Sequence, residues 1–196
     1  MLPEYFLYVS AAILFASGVS YLVATLRGDA QPNRVTWFFW GLAPMIAAIA
    51  ALSKGVGLAT LPVFVNGAMP LLIFLASFIN KKAYWKISPF DYSCGAMELM
   101  ALLLWYLTTD ATIAIIFSIL VGLCASTPTV LKAYKYPETE DGLAFILGTI
   151  SMLVGFLAVQ QYSFDSAPFL GMATLVNAVI TFGIYRRKIF TSKVQK

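Results

Sequence analysis

No histidine occurs among the 196 residues of the chain. That absence removes the commonest metal ligand and the side chain that most often moves protons near neutral pH. Charge is scarce as well: 11% of the chain, against about 25% in an ordinary soluble domain. So little charge cannot cover a water-facing fold. Cysteine appears twice, at Cys94 and Cys124, each inside an apolar run, the usual setting of a free buried thiol. Acids and cysteines do not cluster at ligand spacing either, so no metal site, no cofactor and no enzyme activity is expected. Long basic tracts are missing, which excludes nucleic acid as a partner. No basic residue precedes the first apolar run, where Glu4 stands instead, and no cleaved signal peptide is expected.

What the chain has is apolar length: 60% of it is hydrophobic. The runs show no two-residue alternation, and lipid demands that backbone groups pair internally, so the runs read as helices. Seven spans are expected: 5–26, 36–52, 58–79, 88–108, 112–134, 143–162 and 168–185. Each has about the length a helix needs to cross a bilayer core of about 30 Å. Alternate ends of these spans differ sharply in charge. Arg27, Arg34, Lys81, Lys82, Lys86, Lys132, Lys135, Arg186, Arg187, Lys188, Lys193 and Lys196 fall on one side and only Lys54 on the other. The positive-inside rule then puts the N-terminus outside and the C-terminus in the cytoplasm, in the plasma (inner) membrane.

One stretch organises the rest. Ser126 to Ala144, STPTVLKAYKYPETEDGLA, leaves an apolar run through Lys132 and Lys135, turns at Pro137 and re-enters an apolar run at Leu143. Ser20 to Trp37, SYLVATLRGDAQPNRVTW, is an echo of it 106 residues upstream. At the same offset Pro62 falls on Pro168, and Asn80-Lys81-Lys82 on Arg186-Arg187-Lys188. The expected fold class is therefore an all-α integral membrane protein with seven transmembrane helices in a 3-1-3 arrangement. Residues 1–82 and 110–196 would form two parallel triple-helix bundles, and 83–109 the linker helix between them.

Pro128-Thr129, then Lys132, Tyr134 and Lys135, then Glu140-Asp141-Gly142-Leu143-Ala144 resemble the PQ-type motif of the SWEET sugar transporters and the wider PQ-loop group. Val65-Asn66-Gly67 is similar to the Asn-Gly pair of the third SWEET helix. Ser20-Tyr21 stands where the family carries Pro-Gln. The resemblance implies a facilitative or proton-coupled transporter that moves a small polar solute, such as a sugar or amino acid, by alternating access between two bundles. The other reading is a receptor or scaffold of the same fold that binds a peptide or protein partner.

Candidate residues follow from depth and chemistry. Asn66 and Asn177 lie about 12–14 Å into their spans at about 1.5 Å per residue, where an amide must find a partner or a ligand; with Trp40 they are the substrate-binding candidates. Glu98 lies roughly 15 Å deep, where an ionised carboxylate is costly, and is the proton-coupling candidate. Pro44 and Pro128 each remove a helix hydrogen bond and are the hinge candidates. Lys132, Lys135, Glu140, Asp141 and Arg34 are the candidates for a cytoplasmic gate. A small polar solute and the lipid bilayer are the expected partners, and a homo-oligomer stays open.

Overall fold

The structure is a computed structural model that describes residues 2–53, 55, 57–107, 111–160 and 167–191. Lys54, Lys193, Lys196 and the expected span ends Thr108 and Tyr162 lie outside them. Among the described residues the chain forms α1 (Phe6–Arg27), α2 (Arg34–Ser53), α3 (Leu61–Ala76), α4 (Pro89–Leu107), α5 (Ala111–Lys135), α6 (Gly142–Ala158) and α7 (Ala167–Thr191). Single 3-10 turns occupy Gly57–Thr60, Lys81–Ala83 and Pro137–Thr139.

Local chemistry fixes the helix ends. α1 stops at Gly28, whose φ of 84° suits a residue without a Cβ. The amide of Gly28 donates to Thr25 O (3.1 Å) and that of Asp29 to Ala24 O (2.9 Å), which satisfies the last carbonyls of the helix. α2 starts after Asn33, whose Oδ1 accepts from the amides of Val35 and Thr36. Ser88 and Asp91 cap α4 reciprocally: the Ser88 amide donates to Asp91 Oδ2 (2.6 Å), and the Asp91 amide to Ser88 Oγ (3.3 Å). Asp141 Oδ1 accepts from the Leu143 amide (3.1 Å) and opens α6.

Packing then joins the helices into one body. α1 lies against α3 and, along an extensive seam, against α6. α3 also packs on α2, α7 on α6 and α5, and α4 on α5 with a lighter contact to α2. Serines line the α1–α6 seam. Ser10 Oγ donates to Ser151 O (2.8 Å), Ser151 Oγ donates to Ser10 O (2.7 Å), and Ser17 Oγ donates to Ala144 O (2.8 Å). Small residues with hydroxyls suit such a seam, because they let backbones approach and leave no polar group alone. Tyr21, Trp37, Ile73, Ala133, Phe145 and Ile180 belong to one buried cluster, and each comes from a different helix. The outer faces stay apolar, with Phe15, Leu72, Leu103, Leu153 and Leu175 exposed.

Two expectations are corrected here. Three helical segments, Phe6–Arg27, Arg34–Ser53 and Pro168–Lys188, are long and apolar enough to cross a membrane among the described residues, not seven. α3 has 16 residues and α6 has 17; at about 1.5 Å per residue they reach about 24–26 Å, short of a core of about 30 Å. A 3-10 turn delays the start of α3, and Asp141 fixes the start of α6. α4 carries Asp91 and Glu98 within an otherwise apolar run. The second correction concerns the 3-1-3 plan. One core draws on both expected bundles, and the α1–α6 seam between them is as extensive as the α2–α3 contact within one, so they are not two separate triple-helix units. The chain is membrane-associated and multi-pass through its long apolar helices.

The α2–α3 crossing is tight enough to predict a mutant. A Cβ on Gly67 would stand 2.7 Å from the backbone nitrogen of Met45 and 3.2 Å from the carbonyl oxygen of Gly41. Backbone cannot swing aside as a side chain can. Gly67→Ala should therefore destabilise the detergent-solubilised protein by about 1–3 kcal/mol, the usual cost of overpacking. Gly171→Ala, whose nearest neighbour would be a Phe156 ring atom at 3.7 Å, should melt like the parent. Thermal melts of the two variants check this.

Candidate functional site

The α1–α2 turn and the α5–α6 turn, the two stretches that echo each other in sequence, meet in space. The Gln31 amide donates to Thr139 O across them (2.9 Å). Lys132, in the last turn of α5, reaches into the junction, and its Nζ lies 2.8 Å from Glu140 Oε1. The same ammonium donates to Gln31 O and to Thr139 O, and stands 4.8 Å above the Trp85 ring. Glu140 uses its other oxygen to accept from the Tyr21 hydroxyl (2.6 Å). Next to it Asp141 Oδ2 accepts from Ser20 Oγ (2.6 Å). Tyr21 is fully buried, its ring 4.3 Å from that of Trp37 and edge-on to that of Phe145 at 5.9 Å.

Both members of the ion pair are buried, with side chains 1% and 0% exposed. Taking two charges from water is expensive, and the pair is tolerable because carbonyls, a phenol and an aromatic face complete its shell. Burial pushes the Lys132 ammonium below the usual lysine value, and the Glu140 carboxylate beside it opposes that shift. An open recess of about 440 Å³ adjoins this knot, lined by Ser20, Arg27, Asp29, Glu140 and Asp141.

The other gate candidates are placed differently. Arg34 turns to the end of α3, where Nε donates to Ser77 Oγ (2.9 Å) and Nη2 to Ser77 O (2.8 Å), with its guanidinium over the Phe78 ring. Lys135 is exposed. Pro44 lies inside α2 and Pro128 inside α5. Thr36 on α2 donates to Ala125 O (2.8 Å), three residues before Pro128, and so ties the two proline-bearing helices together.

Asn66 and Asn177 are both half-buried, but α3 and α7 do not pack on one another, so the structure does not bring the two amides together. Asn177 donates to Ala173 O on its own helix (2.9 Å). Its Oδ1 faces α6, 2.7 Å from where a Cβ of Gly148 would be, with Ser17 Oγ at 3.6 Å from that point. Trp40 packs edge-on against Trp37, with ring centres 5.5 Å apart.

Glu98 stands apart from all of these. It is fully buried on α4, and neither carboxyl oxygen has a hydrogen-bond partner among the described residues. One turn earlier is the buried thiol of Cys94, and Cys124 is its neighbour on α5; both are free cysteines. Asp91, two turns earlier, is fully engaged by Asn33 Nδ2 (2.9 Å) and by Ser88. The α4 helix is thus pinned at its start and carries an unmatched acid further along.

Tyr21, Ser20, Gln31, Trp85, Asn33 and Ser17 were not among the sequence candidates. A hydroxyl in the middle of an apolar run was the available signal for Tyr21; the carbonyl of Gln31 left none.

No family model, no curated protein and no solved structure matches the chain. That corrects the resemblance to the SWEET and PQ-loop transporters, which rested on short motifs around Asn66 and from Pro128 to Ala144. The alternating-access reading and the receptor reading of that fold fall with it. Rocking needs two bundles that part along a cavity, whereas here α1 is bonded to α6 by Ser10 and Ser17 and to the turn before α6 by Ser20 and Tyr21.

Breaking the knot from one side should be worse than removing it. Glu140→Leu alone leaves a buried ammonium and should cost about 3–5 kcal/mol, whereas Lys132→Met with Glu140→Leu should recover most of that loss. Denaturant or thermal unfolding of both single variants and the pair forms the double-mutant cycle that checks it.

Proposed function

We propose that the chain is a proton-binding membrane protein in which Glu98 takes up and releases a proton and α4 responds. One observation carries the reading: a fully buried carboxyl with neither oxygen hydrogen-bonded among the described residues. An unpaired carboxylate in such surroundings costs several kcal/mol, so the packed state favours the protonated acid. An ionisable group at such a site in a membrane protein is a functional candidate on physical grounds.

The framework around Glu98 suits a response. Asp91, Asn33 and Ser88 hold the start of α4, which gives the helix a fixed end. Beyond it α4 leans mainly on α5. Loss of the proton would leave a charge against Cys94, Cys124 and apolar neighbours, and the charge gains hydration only if α4 and α5 separate. The nearby titratable groups are Cys94 and Asp91 on α4 and Cys124 on α5; among the described residues no cation pairs with Glu98 to hold it ionised in place.

Two measurements test this together. Infrared titration of the purified protein should show a protonated carboxyl at neutral pH that ionises on alkaline titration and is missing in Glu98→Gln. Spin labels at the exposed positions Leu103 on α4 and Leu120 on α5 should move apart over the same pH range in the parent and stay put in Glu98→Gln. A carboxyl band that survives the substitution, or a distance that ignores pH, overturns the proposal.

The finer localisation belongs to the same proposal: plasma (inner) membrane, N-terminus outside, C-terminus cytoplasmic. It is supported by Arg27 and Arg34 at the ends of the first two long helices and by Arg186, Arg187 and Lys188 at the end of the last. In intact cells a reporter fused to the C-terminus should be active only if it is a cytoplasmic type, such as a fluorescent protein; activity of a reporter that works only outside the cytoplasm reverses the orientation.

A further inference from the structure

A groove of about 390 Å³ runs between α1, α2 and α3 and is lined by apolar side chains alone, among them Phe15, Met45, Phe64, Met69, Leu72 and Leu75. Two of the three helices that form it are long and apolar enough to cross a membrane, so the groove faces hydrocarbon rather than water. Phe15, Phe64, Leu72 and Leu75 are exposed there. One end of the groove is basic. Leu75 lies in the last turn of α3, six residues before Lys81, and Lys81 and Lys82 are exposed on the following 3-10 turn. Asn80 Nδ2 donates to Leu26 O (2.8 Å) and pins that turn to the end of α1. The backbone approach is close: a Cβ on Gly28 would stand 2.8 Å from Cβ of Lys82. Exposed Arg27 lies on the other side of α1, beside Asp29, Glu140 and Asp141, and takes no part here.

We propose that this groove holds an acyl chain of an anionic membrane phospholipid, with the lipid phosphate received by Lys81 and Lys82. The two parts of the site match the two parts of the ligand. The wall between Phe15 and Leu75 offers only dispersion contacts to a chain, and the end offers donors of positive charge at the depth where head groups lie. Arg34, the other nearby cation, is committed to Ser77 and to the Phe78 ring, so it fixes the end of α3 and leaves the lysines free for the phosphate. The site is independent of Glu98, which lies on a helix that takes no part in the groove.

Native mass spectrometry of the full chain in mild detergent, with phosphatidylglycerol and phosphatidylcholine added in equal amounts, tests it. The parent should retain phosphatidylglycerol several-fold more than phosphatidylcholine. Lys81→Ser with Lys82→Ser, both on the surface, should bring phosphatidylglycerol down to the phosphatidylcholine level. Ala68→Trp, which fills the groove, should lose the retained lipid while the double lysine variant still shows a folded protein. Equal retention of both lipids by the parent overturns the charge assignment, and undiminished retention in a folded Ala68→Trp variant overturns the groove. Displacement of the lipid by soluble glycerol phosphate would show a head-group site without a chain site and also overturn the proposal.

Discussion

The closed ring of contacts around Lys132 fixes how the parts of the bundle are set against one another. Its ammonium needs a counter-charge, and Glu140 supplies it from the far side of a turn of a few residues. The ring does not stop at that pair. Glu140 also receives the Tyr21 hydroxyl from α1, and Lys132 also donates to carbonyls of both turns. The network therefore measures whether α1, α5, α6 and the two turns are all in place at once. A buried pair rarely adds net stability over an apolar replacement, but it strongly penalises arrangements in which a partner is missing. Here that penalty selects one register between α1 and α6, and the serine contacts farther along the seam are in step with it.

Glu98 is the opposite case in the same molecule. Asp91 sits on the same helix, buried as Glu98 is, and every oxygen it has is used, by Asn33 and Ser88. Glu98 is buried without any such arrangement. The difference is not one of depth or neighbour polarity alone, because the fold evidently can supply donors to an acid on α4. Among the described residues the buried acids with partners, Asp91 and Glu140, sit where elements begin or join; Glu98 sits in the body of a helix that rests on one main neighbour. Under the proposal a change of charge at Glu98 would act on the packing of α4 against α5, whereas a change at Asp91 would chiefly undo a cap.

How much of this could be read beforehand differs by feature. Helix positions were legible, because apolar runs, Pro62, Gly28 and the Asn33, Ser88 and Asp141 caps are local signals. The pairing of Lys132 with Glu140 was legible as a suspicion, since eight residues of basic turn and acid bracket Pro137. Its third member, Tyr21, was not, because nothing local says which distant hydroxyl will meet Glu140. Asn66 and Asn177 were read as substrate-binding candidates from their depth, and depth is only one coordinate; among the described residues α3 and α7 make no close backbone approach. The expected two-bundle plan failed for a related reason. An internal echo in sequence speaks about punctuation, not about which faces bury each other, and the shared core takes a residue from each of six helices.

That shared core also constrains what motion the molecule can support. Tyr21, Trp37 and Phe145 interlock across the two halves, and moving one half against the other would expose those rings and the buried ion pair together. Exposing charge and aromatic surface at once would cost many kcal/mol, since each fully buried large side chain alone is worth about 1.5–3 kcal/mol. Among the described residues α4 contributes none to that cluster. It packs on α5 and more lightly on α2, with its start held by the Asn33–Asp91 contact. The proposed response to a proton at Glu98 thus calls on a helix outside the shared core, pinned at one end and resting on one main neighbour along the rest.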